Sequence, residues 1–447
     1  MKKEIFYEVA VIGGGISGTS LLYTLSNYSN INSVVLLEKY DDIATLNSNG
    51  LGNSQTLHCG DIETNYTLEK AAKVKKTASM VENYTKMYGY EDKHIFKFTK
   101  MALGVGDEEV NYIKKRFESF KELYPYMEFW DKKALGELEP MLTYGRKENI
   151  AAMGVKDRYT AVNFGELSKS FVENAKDSGK KISVCLNEEV YHIEKKGTKF
   201  LISTMKDRYF ADYVIVNAGA HSLLLAHKMG YGLNYSCLPI GGSFYYTKER
   251  VLNSKVYTVQ NPKLPFAAIH GDPDIVMNSK VRFGPTALAL PKLERYHGSH
   301  FIEFLNSLSP DEDVLKVFYD LLKDKDIRDY ILKNFMYEIP GVRKSLFAKE
   351  VRKIIPAIEA DDLIYAEGVG GLRPQVIDKK SQKLLLGEAK IDTNEGIVFN
   401  MTPSPGATSC LDNARKDALL ACKFLDKRFD LKKFEADLVD QKEEAFA

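Results

Sequence analysis

The first forty residues show the pattern of a buried strand, a helix and a second buried strand. Residues Glu8 to Ile12 (EVAVI) form a short apolar run that ends at three glycines, which is typical of a parallel strand. A helix-compatible stretch from Ile16 to Tyr28 follows, and Ser33 to Glu38 (SVVLLE) is a second apolar run. Together they have the length of one βαβ unit, about 30 residues. We therefore predict a parallel sheet that begins near residue 8.

Helical and strand periodicities alternate through the rest of the chain. The charge-rich stretch Tyr66 to Lys121 is predicted to be helical with a strand near 96–105, and Asn163 to begin a helix that runs toward Lys176. From Ser236 to Pro291, β-propensity dominates between closely spaced turn signals, which favours an antiparallel sheet. The other predicted elements are strands at 183–186, 189–193, 200–204, 213–216, 266–269, 364–366 and 396–400, helices across 300–337 and 407–425, and a short charged helix after Phe429.

Gly13, Gly15 and Gly18 form a G-x-G-x-x-G motif between the first strand and its helix, and Glu38 ends the second strand. The glycines permit a tight turn, close approach of a pyrophosphate, and close packing of helix on strand. The helix N-terminus faces the anion, and the Glu38 carboxylate can accept hydrogen bonds from ribose hydroxyls. The alternative is a fortuitous glycine turn. Strand, motif, helix, strand and acid in register predict a dinucleotide site, without choosing between nicotinamide and flavin.

The fold class predicted from this order is α/β, with a Rossmann-type dinucleotide-binding domain interleaved with a substrate domain built on an antiparallel sheet with helices. The nucleotide domain is predicted to be discontinuous, with segments 1–75, 150–235 and 350–430. Segments 76–149 and 236–349 are assigned to the substrate domain, and 431–447 to a C-terminal tail.

Three further segments are candidates for cofactor contact. The small-residue loop that ends VIVNAGA contains Ala218 and Gly219, and Val190 lies where backbone groups can meet an adenine edge. Asn53, Ser54 and Gln55 begin a polar run (NSQTLHCG) soon after the second strand. A plain strand-to-helix turn and a solvated loop are the alternatives for the first and last of these segments.

Composition and charge exclude several classes of protein. The chain has 447 residues with 62 Lys or Arg and 61 Asp or Glu, so the net charge of +1 argues against a nucleic-acid binder. No apolar run approaches the roughly 20 residues of a membrane-spanning helix. The five cysteines lack the spacing of a disulfide framework or a zinc site, so we expect a reducing cytoplasm and no metal.

A specific resemblance rests on six segments in order: IGGGISG, NSQTLHCGDIETNYT, VNAGA, PKLPFAAIHGDPD with RFGPTALALPKLER, GLRPQV and FNMTPSPGATSC. In this order they resemble malate:quinone oxidoreductases, from Ile12 to about Leu411. These belong with the FAD-dependent enzymes that include L-2-hydroxyglutarate dehydrogenases and amino-acid oxidases. The resemblance implies FAD as cofactor, oxidation of (S)-malate to oxaloacetate, a membrane quinone as acceptor, and peripheral attachment to the cytoplasmic face of the inner membrane.

The resemblance also assigns cofactor contacts to individual residues. Those implied for the diphosphate, ribose and adenosine are Gly13, Gly15, Ser17, Gly18, Glu38, Ala218 and Gly219. Those near the phosphates or the isoalloxazine are Asn53, Ser54 and Gln55, with Gly371 on the strand that returns to the cofactor domain. Gly406, Ala407 and Thr408 are expected to open a helix and present backbone N–H groups to the flavin.

Oxidation of a 2-hydroxy acid requires a base for the hydroxyl proton and a cation for the carboxylate. His270 is the first candidate base, because it follows an apolar run and precedes a predicted Gly-Asp-Pro turn; a structural histidine is the alternative. His58, in the polar loop, is the second. Arg373 is the candidate carboxylate clamp. The remaining candidates are Arg282 or Arg158 for a second carboxylate, and Tyr245, Tyr246 and Gln375 as pocket residues.

Other functions stay open at this stage. A rival 2-hydroxyacid dehydrogenase or oxidase of the same group differs in substrate by as little as one methylene, which shifts selectivity only ~10–200-fold. A flavin-binding module without turnover and an NAD-dependent dehydrogenase also stay open. For membrane contact, the basic segments 343–349 and 423–433 combine Lys and Arg with Phe and Leu, although a solvated helix face has the same composition.

Overall fold

The computed structural model describes residues 2–260, 268–298, 300–385, 387–403 and 405–440. Within them, 22 strands and 12 helices are numbered in chain order. The strands are β1 Glu4–Ile12, β2 Ser33–Leu37, β3 Ile95–Lys97, β4 Lys100–Val105, β5 Glu128–Asp131, β6 Ile150–Val155, β7 Tyr159–Val162, β8 Lys181–Cys185, β9 Val190–Lys196, β10 Lys199–Thr204, β11 Arg208–Val216, β12 Tyr235–Gly241, β13 Tyr245–Thr247, β14 Lys255–Thr258, β15 His270–Pro273, β16 Val281–Gly284, β17 Leu288–Ala289, β18 Leu363–Tyr365, β19 Leu372–Asp378, β20 Lys383–Leu385, β21 Ala389–Asp392 and β22 Ile397–Met401. The helices are α1 Ile16–Tyr28, α2 Leu68–Met87, α3 Asp107–Phe120, α4 Lys132–Leu138, α5 Phe164–Lys176, α6 His221–Lys228, α7 Phe301–Leu308, α8 Glu312–Lys323, α9 Lys325–Met336, α10 Arg343–Val351, α11 Cys410–Phe424 and α12 Leu431–Leu438, with 3-10 helices at Pro140–Leu142 and Ala360–Asp362.

The first sheet has the parallel core that the N-terminal pattern predicts. Its order is β21-β22-β11-β1-β2-β8, and β22, β11, β1, β2 and β8 run parallel. β10 and β9 join it antiparallel, through β11. β1 begins at Glu4 rather than Glu8, because residues 4–7 pair with the first half of β11. This sheet collects strands from three separate parts of the chain.

Alternate residues of the central strands pack on opposite faces of the first sheet. Val9 and Val11 lie in a buried cluster with side chains of α1, α5 and α11. Ala10 and Ile12 lie in a second cluster with β9, β10 and α6. Both faces are covered, which explains why the parallel strands read as continuous apolar runs.

Two further sheets are mostly antiparallel. The second sheet has the order β17-β12-β19-β20, and the third sheet has the order β18-β13-β16-β15-β14-β4-β6-β5, in which only β14 and β4 pair in parallel. β3 and β7 form a separate pair. Strands β6, β18, β19 and β20 belong to these sheets, although the sequence analysis assigned their ranges to the nucleotide domain.

The C-terminal helix α12 is part of the core rather than a detached tail. Phe434 and Leu438 are fully buried, and the Phe434 ring packs edge-on against Tyr28 with centroids 5.1 Å apart. Asn83 Nδ2 donates to the Leu438 carbonyl at 3.0 Å. The remaining tail residues, 441–447, lie outside the described residues.

Two local predictions near the site are wrong. The helix expected from Ala407 begins at Cys410, because the preceding residues form turns, one of which is closed by the Thr408 N–H on the Pro405 carbonyl. The residues predicted as a Gly-Asp-Pro turn are themselves strand β15, held between β14 and β16. Of the apolar run predicted as a strand before it, Ala268 and Ile269 are not in a strand, and 266–267 lie outside the described residues.

Candidate active site and cofactor cavity

A cavity of about 710 Å³ lies at the carboxyl ends of β1, β2 and β11, and β19 forms part of its wall. Parallel sheets bind ligands outside the carboxyl ends of their strands. The predicted residues that line it are Gly13, Gly15, Ser17, Glu38, Asn53, Ser54, His58, Val190, Ala218, Gly219, Gly371, Arg373, Gly406, Ala407 and Thr408. Gly18, Gln55 and His270, also described, do not line it.

The glycine loop has no room for side chains where the motif requires glycine. Gly13 has φ +108°, and a Cβ there would lie 2.4 Å from the Asn217 carbonyl oxygen. A Cβ on Gly18 would lie 1.9 Å from the Gly13 carbonyl oxygen, so Gly18 packs α1 against the loop instead of lining the cavity. α1 begins at Ile16; its N-cap residue, Gly15, offers no side chain, and Ser48 Oγ accepts from the Ile16 N–H at 2.9 Å. Its positive end faces the cavity wall and fits a diphosphate.

Glu38 is fixed at the end of β2 by two backbone donors. Its carboxylate accepts hydrogen bonds from the Gly14 N–H at 2.6 Å and the Tyr40 N–H at 3.0 Å. Burial raises the pKa of Glu38, against the effect of these two bonds. Glu38 and Val190 both line the cavity, which fits the ribose and adenine of a dinucleotide.

The loop at Gly406 to Thr408 lines the cavity, but two of its backbone N–H groups form hydrogen bonds within the loop. The Gly406 N–H donates to the Pro403 carbonyl and the Thr408 N–H to the Pro405 carbonyl, both at 2.9 Å. These two donors are used inside the loop. The prediction that they face a flavin from a helix N-terminus is therefore wrong, although the residues do line the cavity.

Gln55 ties the polar loop to the third sheet. Its Nε2 donates to the Gly50 carbonyl at 2.8 Å and to Asp274 Oδ1 at 3.1 Å, and its Oε1 accepts from the Ile275 N–H at 3.0 Å. With its amide satisfied by protein groups, Gln55 shapes the loop that holds Asn53 and Ser54 at the cavity.

His58 lies on the cavity wall with a buried carboxylate behind it. Its Nδ1 is 2.7 Å from Glu63 Oε1, so Nε2 is the ring nitrogen left for a group in the cavity. Burial acts to raise the pKa of Glu63, but the hydrogen bond and charge of His58 and the nearby Lys100 ammonium lower it to about 2. Glu63 is therefore ionised at neutral pH. The sequence analysis missed it because it lies in an irregular loop without periodicity.

Buried cations hold the Glu63 loop in place. Lys100 is fully buried, pairs with Asp61 at 2.8 Å and donates to the Leu57 carbonyl at 3.2 Å. Arg116 donates to the backbone carbonyls of Glu63 and Tyr66. The backbone carbonyl of Leu57, before His58, is thus held by a side chain of β4, and those of Glu63 and Tyr66, after it, by a side chain of α3.

His270 lies behind the cavity wall. Its ring stacks on Tyr257, with centroids 4.4 Å apart, and its Nδ1 pairs with Asp272. Asp272 also pairs with buried Lys255 at 3.0 Å. The structure therefore favours His58 over His270 as the base. Tyr257, which separates His270 from the loop, hydrogen-bonds Thr56 on the cavity wall at 2.6 Å.

Arg373 is a cation on the cavity wall. Burial lowers its pKa, and the phenols of Tyr330 and Tyr257 partly offset this effect. Within the described residues, no carboxylate forms an ion pair with it, and an arginine stays charged in proteins. It is therefore available for a substrate carboxylate.

The other predicted pocket residues do not line the cavity. Arg282 is fully buried 3.7 Å from Asp274, with its guanidinium over the ring of Phe244, which does line it. Arg158 lies over Tyr126 in a separate crevice. Tyr245 donates to the Tyr337 carbonyl and Tyr246 to Asp274, while Gln375 is buried away from the cavity. Thr56 and Phe244, which the sequence analysis did not select, take their place on the wall.

Among the described residues, no helix is both long and apolar enough to cross a bilayer. The basic segment 343–349 does not present its apolar side chains outward, because Phe347 is fully buried against the third sheet. In the segment 423–433, Phe424 and Leu431 are exposed.

Comparison with known proteins identifies the family. Residues 6–427 match the model of the malate:quinone oxidoreductase family. This chain belongs to that family. A probable malate:quinone oxidoreductase of Campylobacter jejuni is 53% identical over 97% of this chain and 99% of its own length, and the malate:quinone oxidoreductase of Helicobacter pylori is 47% identical over 97% and 98%. An L-2-hydroxyglutarate dehydrogenase of Nematostella vectensis is 25% identical over 92% and 89%.

Solved structures confirm the fold class. The chain resembles an L-α-glycerophosphate oxidase of Mycoplasma pneumoniae, determined with FAD bound, with a TM-score of 0.65, 20% identity, and coverage of 95% of this chain and 96% of that one. Glycine oxidase of Geobacillus kaustophilus gives a TM-score of 0.62 and 16% identity, over 99% and 97%. Family membership confirms the prediction of an FAD-dependent oxidoreductase, and the glycine loop, Glu38 and cavity fit that cofactor.

Proposed function

We propose that this chain oxidises (S)-malate to oxaloacetate with FAD in the cavity and passes the electrons to a membrane quinone. The observation that carries the assignment of roles is that His58, backed by Glu63, and Arg373 line the same cavity as the glycine loop. A base, a cation and a dinucleotide cradle in one cavity are what oxidation of a 2-hydroxy acid requires.

The protein's own residues bind the substrate and move its proton. Arg373 binds the C1 carboxylate through its guanidinium N–H groups. His58 Nε2 accepts the proton of the C2 hydroxyl as that carbon becomes a carbonyl carbon. Glu63 keeps Nδ1 as the protonated nitrogen and stabilises the imidazolium that results. Bound FAD supplies the acceptor for the hydride that leaves C2.

Cofactor binding divides the cavity into two ends. The loop at Gly13 to Gly15 and the N-terminus of α1 hold the diphosphate, while Glu38, Val190, Ala218 and Gly219 surround the adenosine. Asn53, Ser54, Gly371 and the loop at 406–408 border the flavin. The support for this division is that all of these residues line one cavity.

The cellular location that we propose for the enzyme follows from its quinone acceptor. Respiratory quinones are lipids, so the enzyme must meet a bilayer, and we infer peripheral association with the cytoplasmic face of the inner membrane. This inference rests on the family to which the chain belongs.

L-2-Hydroxyglutarate is the second candidate substrate, because a distant relative is named for it. It differs from malate by one methylene, a difference worth only ~10–200-fold in selectivity. Anaerobic bleaching of the flavin absorbance with (S)-malate, L-2-hydroxyglutarate and L-lactate in parallel separates the candidates. Fast bleaching by malate and reoxidation by a quinone analogue is the expected result. Faster bleaching by another hydroxy acid would replace the substrate, and no bleaching by any would remove the proposed reaction.

A further inference from the structure

Exposed apolar side chains are concentrated in one helical region. Of 24 large apolar residues that are exposed within the described residues, 11 lie between positions 296 and 342. They are Tyr296, Phe301, Ile302, Leu315, Tyr319, Leu322, Ile331, Leu332, Phe335, Met336 and Val342. Single exposed apolar residues are normal, but a concentrated set marks an interaction site.

Seven of these residues form stripes on two consecutive helices. On α8, Leu315, Tyr319 and Leu322 recur at helical spacing, opposite the buried Val314 and Val317. On α9, Ile331, Leu332, Phe335 and Met336 repeat at i and i+4. Their exposed fractions lie between 37% and 65%, which leaves much apolar surface in water. We call these seven residues the α8–α9 apolar face.

The two helices are consecutive and meet at Asp324, whose backbone is extended. α8 ends at Lys323, α9 begins at Lys325, and the Asp324 carboxylate between them accepts hydrogen bonds from the Asp326 and Ile327 N–H groups. The helices also contact each other. The two stripes therefore lie on helices that are adjacent both along the chain and in space.

The opposite side of α9 packs behind the cavity wall, against residues that do not themselves line the cavity. Asn334 is buried, and its Oδ1 accepts from the Ala287 N–H at 2.7 Å. Tyr330 lies close enough to Arg373 to influence its pKa. Glu338, just past the helix, accepts from the Ser243 and Thr286 hydroxyls next to the cavity wall. One helix, about 10 Å across, thus separates the exposed face from the wall that carries Arg373.

We propose that the α8–α9 apolar face inserts into the surface of a lipid bilayer and brings the cavity to the quinone. The inference rests on the proposed function, because the lipid-soluble quinone acceptor is the reason to expect a bilayer beside this helix. A second copy of the chain on this face would instead bury α9 and keep the bilayer away from it.

The charge of this region sets the mode of binding. Residues 312–336 contain five Lys or Arg and six Asp or Glu, so they do not attract anionic lipid strongly. Attachment is therefore hydrophobic, through side chains such as Phe335 and Leu332 at the acyl boundary. Binding of this kind needs no anionic lipid and resists salt.

Vesicle flotation of the FAD-loaded enzyme tests the proposal. Vesicles of phosphatidylcholine, with or without phosphatidylglycerol, are used at 50 and 500 mM NaCl. The Debye length is about 14 Å at the lower salt concentration and about 4 Å at the higher one, so only the higher one screens charges strongly. The test variant is Leu332→Glu/Phe335→Glu. The matched control is Met205→Glu/Leu233→Glu, which changes two residues that are 77% and 60% exposed elsewhere.

The wild type and the control are expected to float with both vesicle types at both salt concentrations. The test variant should bind at least tenfold more weakly and lose turnover with a long-chain quinone in vesicles by a similar factor. Flavin bleaching by malate and turnover with a water-soluble quinone should stay unchanged, which shows that the variant is folded and active.

Three results would overturn the proposal: equal flotation of the test variant and the wild type, wild-type binding that disappears at 500 mM NaCl, or a wild-type dimer by light scattering that the test variant dissociates. Failure of the proposed function is a separate result. It would appear as absence of bleaching by malate, whatever the vesicles show.

Discussion

Replacement of Glu63 by glutamine is expected to slow flavin reduction by malate about 2- to 30-fold with little change in malate affinity. The side-chain carbonyl of the introduced glutamine can still accept a hydrogen bond from His58 Nδ1, so the ring keeps its orientation. The variant loses the charge that stabilises the imidazolium formed as His58 takes the proton. Hydrogen bonds to charged groups contribute about 1.5–3 kcal/mol against about 1 kcal/mol for neutral ones, and each 1.4 kcal/mol changes a rate tenfold.

The assay is anaerobic stopped-flow reduction across a range of malate concentrations, with thermal unfolding as a test of folding. Glu118→Gln is the matched control, because Glu118 is an exposed residue paired with Lys121 on α3. Combining Glu63→Gln with His58→Asn should add little to the effect of His58→Asn alone, because the carboxylate acts through the ring. An unchanged reduction rate in Glu63→Gln would refute this role. A large loss in His270→Asn with normal rates in His58→Asn would move the base to His270.

The remaining predictions concern substrate binding, cofactor binding and acid stability. Arg373→Lys should raise the KM for malate at least tenfold with a smaller change in kcat, because lysine cannot bind a carboxylate through two parallel N–H groups. Equal effects on lactate and malate would show that Arg373 recognises the C1 carboxylate. An unchanged KM would exclude Arg373 from this role. Gly18→Ala should yield protein with little bound FAD, because the Cβ would lie 1.9 Å from the Gly13 oxygen. The absorbance ratio at 450 and 280 nm measures the FAD content. A full FAD content would contradict the prediction. Glu63 has a pKa of about 2 when folded against an ordinary value of 4.5, so its ionised form stabilises the fold above pH 4.5 and loses that contribution as the pH falls toward 2. In urea unfolding at pH 7, 5 and 3.5, the stability difference between wild type and Glu63→Gln should shrink with acid, and a constant difference would contradict it.

The parts of the fold that follow from local patterns were predictable from the sequence. α1 spans Ile16–Tyr28 as expected, because its boundaries are set by the glycine loop and the following polar residues. Asn163 caps α5 through its side chain, which accepts from the Glu166 N–H, and this is a local signal too. α11 begins three residues later than predicted, because a Pro/Gly-rich segment is compatible both with turns and with the start of a helix.

The parts of the site that depend on long-range packing were not predictable. His58 and His270 are equivalent as isolated residues, and only the stacking of His270 on Tyr257 places it behind the wall. Glu63 gains its importance from the folding of its loop against β4 and α3. The exposure of α8 and α9 was also hidden, because apolar residues at helical spacing usually predict a buried face.

The interleaved first sheet has a consequence for biosynthesis. β1 pairs with β11, some 200 residues later in the chain, and β22 completes that edge near residue 400. The cavity wall needs Gly13, Ala218 and Gly406 together, so a nascent chain cannot enclose its cofactor until the residues near 406 have emerged from the ribosome. A fragment that ends before β22 would leave the end of β11 unpaired on one side and expose a strand edge to aggregation.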